Sequence, residues 1–278
     1  MTRPARAGAA IIAVLAILVI AVPLVAPVDP LAVGDVLSTR LVPPLSRDEA
    51  GHFHLLGTDR FGRDMFQRMM LAGRISLAVG VLGSLLGAAV GTLLGALAAW
   101  RGGLLQAGIM AVADALLAVP RLVLLLLCSA LWAPGLTTVV VILVGTGWMG
   151  VARLVRGEVL GVSARPYVEA ATALGVPGRR LLWRHVLPNA LGPAVVAATL
   201  GVGNAILLES GLSFLGLGVQ PPTPSWGNMI AGGRDLIVIA PWVAIAPGLA
   251  LVVTVLAATM LGDGVRDWLA GERTGTSE

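Results

Sequence analysis

The stretch from residue 165 to residue 188 is Arg165-Pro-Tyr-Val-Glu-Ala-Ala-Thr-Ala-Leu-Gly-Val-Pro-Gly-Arg-Arg-Leu-Leu-Trp-Arg-His-Val-Leu-Pro188. It places small residues, a glycine and a basic tail inside an otherwise apolar chain. Pro166 suits the first turn of a helix, and Glu169 favours its positively polarised start. Gly175 suits the C-terminal cap and Pro177 prevents continuation, so the pattern predicts a helix of about 9 residues. Such a helix is too short to be stable alone in water.

The predicted helix is also thin, because Ala170, Ala171, Ala173 and Gly175 carry little or no side chain. The backbone of another protein could therefore approach it closely, which indicates a docking helix. The alternative that the residues leave open is a short helix lying on the bilayer surface.

The rest of the chain has the composition of a membrane protein. Hydrophobic residues make up 57% of it and charged residues only 12%, whereas a soluble domain carries about 25% charged residues. A bilayer-spanning helix needs about 20 apolar residues. The sequence therefore predicts an all-α integral membrane protein with about six transmembrane helices, which we place near residues 7–27, 75–100, 104–133, 136–155, 190–213 and 239–262.

Arginine distribution predicts the orientation of these spans. With the N-terminus inside, the short inner loops receive most arginines, including the run from Arg153 to Arg184, and both termini are cytoplasmic. The first span lacks a clear cleavage signal, so we interpret it as a retained anchor. Residues 1–74 are predicted to form this helix and an outer loop. Residues 75–278 are predicted to form a core of five transmembrane helices with a cytoplasmic loop at 156–189.

The outer loop is predicted to contain an interfacial helix. Five apolar residues fall on one helical face, and Thr58 or Asp59 is available as its N-cap. His52 and His54 alternate as metal ligands might, but nothing nearby completes a site, so no metal is predicted. The apolar face consists of Phe61, Met65, Phe66, Met69 and Met70.

A stripe of glycines marks the second span. Such a stripe lets another helix approach backbone to backbone, because lipid provides no hydrophobic drive between helices. The partner helix could belong to this chain or to a second subunit, and we favour this chain. The stripe consists of Gly83, Gly87, Gly91 and Gly95.

Three ionisable residues in or near the spans are candidate functional sites, because charge is costly in hydrocarbon. Asp114 and Arg121 are two helical turns apart, with Pro120 able to bend the helix between them, and we interpret them as a structural pair. Glu209 ends the fifth span. It could line the exit from an outer receptor, or it could be an ordinary carboxylate at a helix end.

The stretch at 165–188 resembles the cytoplasmic loop by which permease subunits of binding-protein-dependent ABC importers engage their ATPases. The family pattern is Glu-Ala-Ala, three residues, Gly, nine residues, an apolar residue, one residue, then Leu-Pro, and only His185 departs from it. Residues 211–227 resemble the peptide and nickel branch, so the chain is similar to the second permease of a dipeptide or oligopeptide importer. The matched positions are Glu169, Ala170, Ala171, Gly175, Leu187 and Pro188.

The resemblance covers residues 54–265 and implies a type I ABC importer transmembrane domain in a bacterial inner membrane. The implied partners are a homologous permease, two cytoplasmic ATP-binding subunits, an outer solute-binding protein and the lipid bilayer. Peptides are the implied solutes, with nickel chelates or other small solutes as the alternative. Related permeases carry Arg three residues before Asp114, where this chain has Ala111.

Other function classes fit the sequence less well. It contains no lysine and hence no phosphate-binding Gly-x-x-x-x-Gly-Lys loop, so we predict a transport subunit without enzymatic activity or cofactor. No aromatic-interleaved basic patch indicates nucleic acid. An ion-coupled transporter would show inverted repeats, and an intramembrane hydrolase would need clustered catalytic residues, whereas two histidines lie in the outer loop and the third in the cytoplasmic loop.

Overall fold

Long helices make up most of the chain in the computed structural model, which describes residues 3–25 and 36–274. The described elements also include a two-stranded antiparallel hairpin, a π-helical turn at Leu182–Val186 and a 3-10 turn at Arg234–Leu236. In chain order, the helices and strands are α1 Arg3–Val25, α2 Val36–Thr39, β1 Ser46–Arg47, β2 Phe53–His54, α3 Met65–Arg101, α4 Gly103–Leu117, α5 Arg121–Leu131, α6 Leu136–Ser163, α7 Pro166–Ala173, α8 Gly178–Leu181, α9 Leu187–Ala190, α10 Gly192–Phe214, α11 Trp226–Gly233 and α12 Trp242–Thr274.

Five of these helices, α1, α3, α6, α10 and α12, are long and apolar enough to cross a membrane. The third predicted span, 104–133, is not a continuous helix, because α4 and α5 meet at 93°. Pro120 has no N–H and disfavours a helical conformation in the residue before it, so the helix breaks there. The bent pair brings the number of candidate spans to six. The predicted end of the first span, Pro27, lies outside the described residues.

The long helices run between two ends of the molecule. We call the end that carries β1 and β2 the hairpin end, and the end that carries α7 the α7 end. α3 starts at the hairpin end and packs most extensively against α6 and then α10. α12 packs against α1, α10 and α11. α3 is therefore the central helix, and its 37 residues connect the two ends.

The glycine stripe of α3 faces α6 of the same chain. A Cβ atom built on Gly91 would lie 2.5 Å from the carbonyl oxygen of Trp148, and one built on Gly95 would collide with the backbone of Ala152. Gly87 is less crowded, since its Cβ would lie 3.4 Å from Cα of Gly147. The two backbones are in contact along this seam, where Gly83 packs against the side chain of Leu143.

α1 packs directly on this core. Gly8 lies against α12, where a Cβ would be 2.6 Å from the carbonyl oxygen of Ala257. Pro23 cannot donate to the carbonyl of Val19, and the guanidinium of Arg74 donates to that carbonyl instead. The predicted division between residues 74 and 75 falls inside α3, so one continuous helix joins the two predicted parts.

The predicted interfacial helix in the outer loop is wrong. Residues 59–64 form a tight turn, and α3 begins at Met65 as one uninterrupted span. Its N-cap is Asp64, whose carboxylate accepts from the N–H of Gln67 at 2.9 Å, rather than Thr58 or Asp59. Met65 is buried by protein instead of lying in the bilayer surface. An apolar helical face looks the same in sequence whether it packs against protein or against lipid.

We expect Gly91→Ala to lower the melting temperature of the purified chain in detergent. The new methyl group would collide with the backbone of α6, and overpacking of this kind costs about 1 to 3 kcal/mol. Thermal unfolding followed by circular dichroism measures the effect.

Two matched variants control for the change from glycine to alanine. Gly87→Ala lies on the same stripe but has room for the methyl group, and Gly145→Ala on α6 faces open space. Both should melt at or above the wild-type temperature, because alanine favours a helix over glycine by about 1 kcal/mol. Equal melting of Gly91→Ala and Gly87→Ala would contradict the close contact.

Candidate functional site

Residues 166–190, which we call the α7–α9 segment, form the α7 end. α7 starts with Pro166 and ends at Ala173, and it is followed by Gly175, whose φ of +78° lies in the left-handed region that favours glycine. The N–H of Gly175 donates to the carbonyl of Thr172 at 3.0 Å, and that of Val176 donates to the carbonyl of Ala171 at 3.1 Å. These two bonds form a Schellman motif. The glycine therefore sets where α7 ends and where the chain turns.

One face of the α7–α9 segment packs against the long helices α3, α6 and α10. Its buried side chains pack into a cluster with the ends of α6 and α10, and Trp100 at the end of α3 packs beside Gly178. Burial of this apolar surface fixes the segment against the helices it touches. The buried residues of the segment are Val168, Leu181, Val186, Leu187 and Ala190.

The opposite face is open. Glu169, Ala170 and Gly175 are exposed, and Leu174 is 85% exposed at the helix end. Of the other predicted positions, Ala171 is half-buried, Leu187 is buried and Pro188 is exposed at the start of α9. The predicted coupling residues thus divide between the exposed face and the buried face of the segment. Further exposed residues of the segment are Tyr167, Arg179, Arg180, Trp183 and Arg184.

The π-helical turn around His185 is a feature that the sequence analysis missed. The carbonyl of His185 accepts from the hydroxyl of Tyr167 at 3.4 Å and from the amide of Asn189 at 2.6 Å. These bonds tie α7 to α9. The family pattern has an apolar residue at position 185. In this chain the position carries His185, whose backbone carbonyl makes hydrogen bonds.

The predicted pairing of Asp114 with Arg121 is wrong. The 93° break between α4 and α5 separates the two residues, and the partner of Asp114 is Arg153 of α6, with Nε 3.2 Å from Oδ1. The guanidinium of Arg121 donates instead to Thr146 Oγ1 at 3.3 Å and to the carbonyl of Leu143 at 3.2 Å. The Asp114 and Arg153 side chains are 52% and 56% exposed.

Glu209 does not line an opening, because its side chain is completely buried. Its carboxylate accepts hydrogen bonds from Ser213 at 2.6 Å, from Ser76 of α3 at 3.1 Å and from Ser210 at 3.4 Å. Ser76 Oγ also accepts from the N–H of Trp226 at 3.2 Å. This network joins α3, α10 and α11 at the hairpin end.

Trp226 is buried inside the protein. It is 1% exposed at the start of α11, and its ring N–H donates to the carbonyl of Met69 at 3.1 Å. Ser225 caps α11 in a reciprocal capping box with Asn228. α10 ends at Phe214, one residue beyond the end of the predicted fifth span.

Two histidines at the hairpin end bind carboxylates. His54 Nδ1 lies 2.7 Å from Asp64 Oδ2, and His52 Nδ1 lies 3.2 Å from Asp48 Oδ2. Desolvation raises the pKa of Asp48, but hydrogen bonds from the backbone and ring of His52 and from His54 outweigh it and hold that pKa below its usual value. Within residues 3–25 and 36–274, no group of three or more ligand-type side chains is placed to hold a metal ion.

Comparison with known proteins agrees with this architecture. The family model described as "Binding-protein-dependent transport system inner membrane component" matches residues 91–273. Over 216 residues the chain is 43% identical to the glutathione transport system permease protein GsiD of Pectobacterium atrosepticum, covering 78% of this chain and 72% of the relative. It is 39% identical to the oligopeptide transport system permease protein OppC of Bacillus subtilis, covering 78% of this chain and 71% of the relative.

A solved structure shares the fold. The inward-facing MetNI methionine ABC transporter superposes with a TM-score of 0.61 at 19% identity, covering 74% of this chain and 97% of that chain. The fold, the matched family model and the relatives together confirm the predicted class. The chain belongs to the family of inner membrane components of binding-protein-dependent transport systems, which are the permease subunits of ABC importers.

Proposed function

We propose that this chain forms part of the translocation pathway of an ATP-driven peptide importer and couples to cytoplasmic ATPases through α7. The observation that carries the proposal is the exposed face of the α7–α9 segment. There, Glu169, Ala170 and Gly175 are exposed on a thin helix whose other face is anchored to the transport helices. The names of the relatives support the peptide class.

The partners that we propose are a second, homologous permease, two ATP-binding subunits and an outer solute-binding protein. The description of the family as binding-protein-dependent supports the last of these. The α7 end is then cytoplasmic, where ATP is, and the hairpin end faces outward. The arginines of the α7–α9 segment support this orientation, because short cytoplasmic loops carry an excess of basic residues.

Coupling follows from the way the α7–α9 segment is held. Closure of an ATPase pair would push on the exposed face of α7, and the buried cluster behind it would pass that displacement to α6 and α10. ATP can shift the equilibrium between inward and outward states only through contacts that differ between them. A thin helix in a groove of the ATPase provides such a contact.

The exposed ion pair between Asp114 and Arg153 indicates which face of the protein does not contact lipid. Charged side chains are costly when they face lipid, and these two are about half exposed. We therefore propose that the face formed by α4 and α6 around this pair borders the aqueous pathway or the partner permease rather than lipid.

The peptide class is tested by uptake of a labelled tripeptide into vesicles that contain the assembled transporter and its binding protein. We expect ATP-dependent accumulation that stops when the binding protein is omitted. Accumulation of a nickel chelate but not of the tripeptide would contradict the peptide class and favour the alternative solute.

Substitutions in α7 test the coupling. We expect Gly175→Leu and Glu169→Lys to abolish most of the uptake and of the substrate-stimulated ATP hydrolysis, while the chain still inserts. Leucine is strained at a φ of +78°, and lysine reverses a favourable charge near the helix start. Rates are measured in reconstituted vesicles.

Gly175→Asn and Glu169→Gln are the matched controls. Asparagine tolerates the left-handed conformation, and glutamine removes the charge without reversing it. If Gly175→Asn transports normally, the backbone conformation is what matters at this position. If it fails like Gly175→Leu, close approach by a partner is what matters. Wild-type uptake by Gly175→Leu would refute the coupling role.

Cysteine labelling tests the orientation. In a Cys128→Ser background, a reagent that cannot cross the membrane should label Ala50→Cys from outside but not Thr172→Cys. Both positions are exposed in the structure, so burial would not explain a difference between them. The reverse pattern of labelling would show that the orientation is inverted.

Charge exchange tests the placement of the Asp114 and Arg153 pair. We expect Asp114→Arg to reduce uptake, because it leaves two cations in contact, and we expect the double exchange Asp114→Arg with Arg153→Asp to restore part of it. Uptake in vesicles and the amount of assembled complex are measured together. Unchanged uptake in the single variant would mean that the pair has no part in transport.

A further inference from the structure

A cavity of about 220 Å³ opens at the hairpin end, away from the α7–α9 segment. Its walls are the turn before α3, the first turns of α3, the loop at 221–223 and α11. Among the described residues, three arginines and one carboxylate line it: Arg60, Arg63, Arg68 and Asp59.

Asp59 can neutralise only one of these three arginines. Its Oδ1 accepts from the backbone N–H groups of Phe61 at 2.8 Å and Arg63 at 3.0 Å, so it stabilises the turn. Its Oδ2 lies 3.6 Å from Arg68 Nε, which is too long for a good hydrogen bond. The guanidinium groups of Arg60 and Arg63 each lie 4.8 Å from the centre of the Phe61 ring. The cavity therefore keeps an excess of positive charge.

Two of the arginines also have buried donors without a partner. Arg63 Nε and Arg68 Nη1 are both inaccessible to solvent and form no hydrogen bond. The Arg68 side chain as a whole is only 11% exposed. Buried donors are nearly always satisfied in folded proteins, and a charged one left unpaired is costly. Asn228 also lines the cavity, and its side-chain amide nitrogen Nδ2 already donates to the carbonyls of Val219 and Thr223.

We propose that this cavity binds a phosphate oxyanion through Arg63 and Arg68. Guanidinium groups present paired N–H donors that match phosphate oxygens, and both Arg63 and Arg68 line the cavity. The bound anion would also reduce the repulsion between the two arginines. This site is independent of the coupling role of α7.

The position of the cavity favours the headgroup of a phospholipid or free phosphate as the source of that oxyanion. α3 and α12 begin at this end of the bundle and α10 ends there. At this same end of the bundle, the ring N–H of Trp242 donates to the carbonyl of Thr58 at 3.1 Å. The ends of the apolar spans lie where a bilayer places its phosphate groups.

Thermal unfolding of the full chain in detergent tests the site. Melting temperatures are compared in chloride and in inorganic phosphate at equal ionic strength, and with a short-chain phosphatidylglycerol against a diacylglycerol that lacks phosphate. The variants are Arg63→Gln, Arg68→Gln and Arg63→Lys. The control is Arg234→Gln, which removes an exposed arginine that pairs with Asp235 outside the cavity.

We expect phosphate to raise the melting temperature of the wild type and of Arg234→Gln, and to raise that of Arg63→Gln and Arg68→Gln much less. In chloride, Arg63→Gln should melt at or above the wild type, because one of two neighbouring positive charges at the cavity is gone. Arg63→Lys keeps the charge but loses the paired donors, so it should lose most of the phosphate effect while staying folded.

The two sources give different results. A larger shift with phosphatidylglycerol than with phosphate at the same concentration identifies the headgroup, and equal shifts identify the free anion. Equal phosphate shifts in all variants would overturn the site as a salt effect. It would also be overturned if only the docked solute-binding protein stabilised the wild type over Arg63→Gln, because the occupant would then be a protein carboxylate.

Discussion

Direct contact between the backbones of α3 and α6 is the constraint on which the rest of the structure depends. In a bilayer the helices gain nothing by hiding apolar side chains from lipid, so close approach must supply the attraction. The glycines of α3 allow that approach, and Gly91 lies too close to α6 to accept even a methyl group. The seam holds α3 in the centre of the bundle, so that one helix carries Met65 at the hairpin end and Trp100 at the α7 end.

The two ends of α3 are held by different chemistry. At the α7 end, apolar side chains of the α7–α9 segment pack against α6 and α10, and such contacts tolerate small displacements. At the hairpin end, the buried carboxylate of Glu209 receives hydrogen bonds from Ser76, Ser210 and Ser213. Buried polar networks are directional and costly to break. We therefore expect the hairpin end to keep one arrangement while the α7 end transmits movement.

The sequence was sufficient wherever local signals set the structure. The ends of α7 follow from Pro166 and Gly175, and the glycine repeat alone indicates a packing face. It was insufficient where a distant residue supplied the partner. Asp114 pairs with Arg153 because a 93° bend redirects α4, and nothing local encodes that angle. The first turn of α3 was mistaken for an interfacial helix because an apolar face looks the same against lipid or protein.

The bent pair α4 and α5 is the part of the described chain best placed to change conformation. It is joined to α3 through Gly102 and Gly103, whose φ values of +62° and +54° only glycine adopts easily, and no Cβ on either would meet another atom. α3 packs extensively against α6 and α10, whereas α5 touches α6 and α10 over a smaller area. Packed helices move as rigid bodies, and the angle changes concentrate at such breaks. The ion pair from Asp114 to Arg153 crosses from the bent pair to α6, so movement between them would make or break it.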